Sequence, residues 1–439
     1  MAATDATTLT VIDALLNVRR LSDTIRDIVN ISTAVSPSMK DIGTMFGQEK
    51  GGGRSVEIPA RFGVNLAGQG VLGGDGPTAT PAAGKYDKQT VTVYPVNMSS
   101  KIGHLDVQKS ASGVQALQSV LNTAKKDIED GFPIVQSYLM WERGDGVVSR
   151  IDTTITVATG EVTVDDALTA GGDNTFGLGH IGVSAYLQAT SDRTLTEPDR
   201  VSVAQVTVNP SGTLKFKAGG GSIADWANDD YLVWKDMLNN APGGIGSWHP
   251  LFQTAGFSYL GLSTTTYPEL LMTRKTSIGT GNIEDALVGA LLQVLTERGD
   301  TPSMGLVPWR VYKEMFVDAK VDRRFTNVVT PGKQKYAQGF QAVSITSPGG
   351  GTIEFYVDRF MPQPAAGAST GMLVVIKPEN IKFVRPEGKG PDWYRGPHGD
   401  ILHEIPDTYG QKLVMLDHYN LINLNPGVGV SLEGITVAS

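Results

Sequence analysis

The sequence predicts an α+β chain built around extensions. Three observations lead there. An amphipathic helix opens the chain. A β-patterned ribbon with a glycine-rich middle follows it. A long helix then leads into two further blocks, the first all-β and the second mixed. The 439 residues give length for about three domains at roughly 150 residues each.

In residues 1–35, Val11, Leu15, Leu21, Ile25 and Ile28 recur near helical spacing, with Arg19, Arg20 and Arg26 between them. This stripe has to be buried, either on its own domain or on a neighbouring subunit, and both readings stay open. Residues 47–103 alternate apolar and polar positions at both ends, in SVEIPARF and KQTVTVYPVNMSSKIG. The stretch between them, 63–84, has almost nothing to build a core with. A two-stranded ribbon is marginal alone in water, so this segment is expected to lie on another surface.

Residues 112–142 read as one long helix, with Val114, Leu117, Leu121, Ala124, Ile128, Val135 and Leu139 on one face. Gly131 and Pro133 predict a kink near 128–132. Short strand-like runs separated by turns follow over 154–235, the spacing of a small barrel or sandwich. NNAPGGIGSWHP (239–250) reads as a linker. From 256 onward strands and helices alternate. The clearest helix is IEDALVGALLQVLTER, with Asn282 as its N-cap and Gly299 past its end.

Composition narrows the function. Lys and Arg number 37 against 45 Asp and Glu, a net charge of −8, which excludes a protein gripping nucleic acid over its whole surface. Cysteine is absent, so there is no disulfide frame, thiolate metal site or cysteine nucleophile. No run is long and apolar enough to span a bilayer, and the N-terminus lacks the order of a secretory signal, so synthesis inside a cell is expected. IGTGNIEDALVG departs from a dinucleotide fingerprint at its last glycine and reads as a helix entry. His398 and His403 are five apart, which does not put two imidazoles on one helix face. The acidic groupings, such as Asp229-Asp230, read as turns. No catalytic, cofactor or metal residues are assigned, and no enzyme is expected. A hydrolase would need a clustered acid–base set, and a fibre would need repeats; neither pattern is found.

The order of elements and the tail, GMLVVIKPENIKFVRPEG followed by IPDTYGQKLVMLDHYNLINLNPGVGVSLEGITV, resemble tailed-bacteriophage major capsid proteins of the Hong Kong 97-type fold. The resemblance implies an N-terminal arm (1–46), an extended loop (47–103) and a peripheral domain with a spine helix (104–153, continuing at 378–422). It also implies an inserted small β domain (154–247) and an axial domain (248–377, continuing at 423–439). Assembly-interface candidates are then Leu15, Arg19, Arg20, Leu21 and Ile25 in the arm, and Arg54, Arg61, Lys85 and Lys88 in the loop.

The implied partners are copies of the chain in hexamers and pentamers of an icosahedral shell. A separate scaffolding protein, a portal and a decoration protein are further implied, with weak non-specific contact to packaged double-stranded DNA and none to membrane. The implied location is the virion, assembled in host cytoplasm. An encapsulin-like compartment shares the implied fold, and a non-capsid virion protein is a further alternative. Some family members join a loop Lys to a strand Asn of a neighbour. Here the corresponding stretch reads Gly410-Gln411-Lys412, so no such cross-link is expected.

Overall fold

The computed structural model describes residues 43–46, 55–61, 86–103, 114–156, 160–165, 185–193, 195, 197–200, 202–208, 213–250, 256–278, 282–321, 344–358, 360–364, 370–386, 391–395, 401–405 and 410–437. In chain order the first strands are β1 (Gly43–Phe46), β2 (Ser55–Arg61), β3 (Tyr86–Thr92) and β4 (Tyr94–Gly103). Helix α1 (Val114–Leu139) follows. Next come β5 (Val147–Thr156), β6 (Glu161–Val164), β7 (Ala185–Thr190), β8 (Val203–Val208), β9 (Leu214–Gly221) and β10 (Tyr231–Trp234). The next group is β11 (Ser258–Tyr259), β12 (Leu262–Ser263), β13 (Arg274–Ser277), α2 (Ile283–Arg298), β14 (Met304–Val307) and α3 (Trp309–Val321). The chain closes with β15 (Ser344–Thr346), β16 (Thr352–Val357), β17 (Gly371–Ile376), β18 (Ile381–Arg385), β19 (Asp392–Trp393), β20 (Leu402–Glu404), β21 (Gly410–Asn423) and β22 (Val430–Ile435).

Two six-stranded sheets carry the body of the molecule. In the first, β21 is the axis: β4 runs antiparallel along it from Gly410 to Tyr419, and β18, β19 and β20 share its other edge. β1 adds to β18 in parallel. The second sheet has the order β13-β22-β17-β14-β16-β15. Its central β17, GMLVVI, is buried at every position, as a strand covered on both faces requires. Helix α2 packs on this sheet through Ile283, Leu287, Ala290, Leu291 and Val294. Its ends are set locally: the Asn282 side chain accepts from Glu284 N at 3.0 Å, and Gly299 takes φ 66°. One hydrophobic core joins α1, through Ile128, Phe132 and Leu139, to Leu413 and Met415 of the first sheet and to Leu306 and Val374 of the second.

Strands β5 to β10 close into a six-stranded barrel in the order β10-β5-β6-β9-β8-β7, filled by Val148, Ile151, Val162, Leu187, Val206 and Leu232. Its limits differ from those expected. β5 begins at Val147 and crosses the expected edge at 154, and the last barrel strand ends at Trp234. The stretch expected as a linker, 239–250, is packed: Ala241, Ile245 and Trp248 are fully buried. A Cβ on Gly244 would land on the carbonyls of Leu139 and Met140, and one on Gly246 on that of Trp141. Those glycines mark close backbone approach to the end of α1, and not chain freedom.

The ribbon also ends earlier than the alternation suggested. KQTVTVYPVNMSSKIG divides at Val93, with its first part in the ribbon strand β3 and its second in β4 of the main sheet. Helix α1 runs through Gly131 and Pro133 as one 26-residue element. A Cβ on Gly131 would meet only the tip of the Met98 side chain of β4, which can move aside. Among the described residues no helix is long and apolar enough to cross a membrane.

Candidate assembly surface

β2 and β3 pair antiparallel in unbroken register from Ser55↔Thr92 to Arg61↔Tyr86. Seven pairs at about 3.3 Å per residue give a ribbon of roughly 20 Å. One end is rooted. Val91 and Val93 are buried with Val384 of β18 and Ile422 of β21, and Val56, Ile58 and Leu260 pack against them. Leu260 is the tip of the β11–β12 hairpin. It takes φ 52° and is followed by Gly261 at φ 84°, a costly conformation for leucine. Its carbonyl accepts from Thr90 N at 2.9 Å. Asn420 of β21 completes the root. Its Nδ2 donates to Thr92 O at 2.7 Å, and its Oδ1 accepts from Gly243 N at 2.8 Å. Ribbon, main sheet and barrel-exit segment thus meet on one amide side chain.

Along β3 exposed and buried positions alternate, with Lys88 and Thr90 outward and Gln89 buried. Lys88 and Glu57 form an ion pair at 2.8 Å with 71% and 61% of their side chains exposed. The Glu57 hydrogen bond and charge raise the Lys88 pKa, holding the amine protonated.

Beneath the ribbon root, Asp417 of β21 is fully buried. Its Oδ2 accepts from Arg385 at 2.8 Å and from Gln136 Nε2 of α1 at 2.9 Å. The guanidinium lies 4.9 Å over the Phe383 ring and 5.9 Å over Tyr419. Burial pushes the Asp417 carboxyl up, against the pull of Arg385. A second buried carboxyl, Glu142, lies where α1 hands over to the barrel. Burial first, and then Asp145, push it well above its ordinary value, while Arg193 and Arg143 pull it down. Asp145 holds both arginines, at 3.0 Å from Arg193 and 3.4 Å from Arg143. These arrangements clamp helix, sheet and barrel into one body. Among the described residues no group of three His, Cys, Asp or Glu is placed to hold a metal.

Of the residues singled out in the sequence, Lys88 is exposed on β3 and Arg61 lies at the far end of β2, opposite Tyr86. Leu15, Arg19, Arg20, Leu21, Ile25, Arg54 and Lys85 lie outside the described residues. Sequence reasoning missed Asp417, although a signal was there. Positions 413, 415, 417, 419 and 421 of β21 read Leu, Met, Asp, Tyr, Leu and all turn inward. One carboxylate in an inward register demands a buried partner. Asn420 carried no comparable signal.

No family model matches the sequence, and no curated protein matches it. Among solved structures, the chain is similar to the capsid asymmetric unit of cyanophage A-1(L), at 11% identity and TM-score 0.47 over 91% of this chain and 93% of that one. It is similar to the capsid of a native GTA particle, at 9% identity and TM-score 0.47 over 91% and 90%. It is also similar to the holo-SrpI encapsulin complex from Synechococcus elongatus PCC 7942, at 7% identity and TM-score 0.40 over 92% and 90%.

Proposed function

We propose that this chain is a structural major capsid protein of the Hong Kong 97 type, forming the hexamers and pentamers of an icosahedral phage head around double-stranded DNA. The observation that carries the reading is the ribbon. It is bolted to the body at one end through Asn420, Leu260 and the Val91 cluster, and its described polar side chains Glu57 and Lys88 are exposed. A two-stranded ribbon gains its stability from a surface it lies on, and a neighbouring copy supplies one. The rigid clamp of α1 on β21 suits the same task, because a shell wall transmits load through subunits that do not deform. Obligate contacts of about 2,000–5,000 Å² between such copies would resist internal pressure.

On this reading the partners are further copies, a separate scaffolding protein, a portal and a decoration protein. Contact with the packaged DNA is weak, in keeping with the −8 balance. The protein resides in the virion after assembly in host cytoplasm, and it performs no catalysis. An encapsulin-like compartment is the second reading; the inserted barrel and the glycine-rich stretch at 63–84 favour the virus.

Electron microscopy of the purified protein tests the proposal. Closed shells or capsomer rings are the expected result, and discrete monomers at high concentration overturn it. Deleting residues 64–83 should leave folded subunits that fail to close shells. Nuclease-protected DNA in particles from infected cells separates a phage head from a compartment.

A further inference from the structure

The first sheet has a second face, turned away from α1. Along β4, Pro95, Asn97, Ser99 and Lys101 point to it and are exposed, while Val96 and Ile102 face the core. Across this face runs a lateral row from three adjacent strands. Lys101 of β4 stands directly opposite Lys412 of β21, and Lys412 stands opposite His403 of β20. Like charges placed directly opposite on antiparallel strands repel, so this pairing weakens the subunit that carries it. Neither lysine has an ion pair among the described residues. His403 donates from Nε2 to Tyr394 O at 2.9 Å, with the half-exposed Tyr394 ring stacked obliquely against it at 4.9 Å. Among the described residues the nearest acid on the same face in register is Asp392, opposite Leu416, four residues along β21 and so roughly 13 Å away at about 3.3 Å per residue. Among the described residues nothing inside the subunit offsets this cost, and an anionic partner outside it would.

The chain itself carries a matching surface. The barrel span, residues 147–234, holds eleven acidic and five basic residues, a formal −6 of the chain's −8. Six of those acids lie in two adjoining loops, Asp192, Glu197 and Asp199 before β8 and Asp225, Asp229 and Asp230 before β10; Asp192, Glu197, Asp199 and Asp229 are exposed, with Asp229 paired to Arg150 at 2.8 Å, while Asp230 is buried. The loops are tied together by Arg200 on Asp230 at 3.0 Å and by Asp225 accepting from Ser202 N at 2.9 Å. Arg193 and Arg200 are the basic residues within them. Glu197 is exposed and has no ion pair among the described residues.

We infer that the Lys101–Lys412–His403 row is a docking site for the acidic barrel loops of a second copy. The inference deepens the shell reading by naming one contact between copies. A rim contact of this kind fixes register and rate of association more than it adds affinity, and it fades with salt.

The test mixes isotope-labelled and unlabelled protein, associates it at low salt and applies a zero-length carbodiimide, which joins amines to carboxylates in contact. Mixed-isotope cross-links from Lys101 or Lys412 to residues 191–230 are expected. Links from these lysines to other parts of the chain, or none, overturn the inference. In parallel, Lys101→Gln/Lys412→Gln should raise the concentration needed for half-association roughly tenfold, with the subunit folded as before. An unchanged concentration overturns it. If double-stranded DNA shields the two lysines from acylation while a second copy does not, the partner is nucleic acid and the inference is wrong. Shells that close without these cross-links overturn the inference and leave the shell reading standing. Cross-linked small oligomers that never form shells do the reverse.

Discussion

Replacing Arg385 with methionine tests whether the buried pair is what clamps α1 to the sheet. In the native subunit Asp417 has no solvent access, and its Oδ2 is shared between Arg385 at 2.8 Å and Gln136 at 2.9 Å. Methionine keeps much of the arginine stem's volume against Phe383 and Tyr419 but removes the charge. That leaves a buried carboxylate with only neutral donors, the Gln136 side chain and the His418 backbone N–H. Breaking a buried pair from one side costs about 3–5 kcal/mol, most of it the unpaired charge. The double variant Arg385→Met/Asp417→Leu removes both charges and should recover most of the loss, so the cycle gives a coupling of about 3 kcal/mol. The single variant should also be hurt less in acid, because Asp417 is already pushed up by burial and loses the pull of Arg385. As pH falls through that raised value, the carboxyl takes a proton and the penalty shrinks. Urea unfolding of assembly-blocked subunits at neutral and acidic pH measures all of this. A single-variant loss below about 1 kcal/mol, or a double variant no better than the single, would refute the clamp.

Four further outcomes follow from the same geometry. Glu142→Gln should flatten the pH dependence of stability. The native Glu142 pKa is raised, so its contribution is most favourable below about 4.5 and is lost as pH rises through the folded value; the variant should be more stable than native near neutrality and not in acid, by thermal melts across pH. Gly244→Ala should cost about 2 kcal/mol or more by chemical denaturation, since its methyl would meet the carbonyls of Leu139 and Met140. Asn420→Leu removes the two hydrogen bonds joining the ribbon root to the barrel exit and should cost about 2–3 kcal/mol, with hydrogen exchange rising first in β3. Boiled particles should run as a single monomer band in detergent gels: Glu57 keeps the Lys88 amine protonated, and the expected acceptor stretch presents Lys412; ladders of pentamers and hexamers would reverse that expectation.

What could be read from the sequence was what depends on nearest neighbours along the chain. Asn282 and Gly299 mark the ends of α2 because capping is settled within one helical turn. The ribbon announced itself because its two ends alternate apolar and polar positions while 63–84 lacks core-forming residues. The glycines were misleading for the same reason. Gly131, Gly244 and Gly246 look like breaks in a one-dimensional reading, yet α1 continues through the first, and the other two are small so that the end of α1 can approach. Only the fold reveals which neighbour requires the missing Cβ.

The polar groups divide along a similar line. Arg385 is two residues from Phe383 along the chain but finds Asp417 across the sheet, so the pair emerges only when β18 meets β21. Lys101 and Lys412 are 311 positions apart and become neighbours only through the register of β4 on β21. The first pairing resolves a buried charge, and the second leaves an exposed repulsion standing. Evolution of a lone subunit has no use for such a repulsion, since a single Lys→Gln change would remove it at little cost. Its presence on a sheet face, in a chain whose negative charge is concentrated in one barrel, makes sense when the unit that must be stable is larger than the subunit.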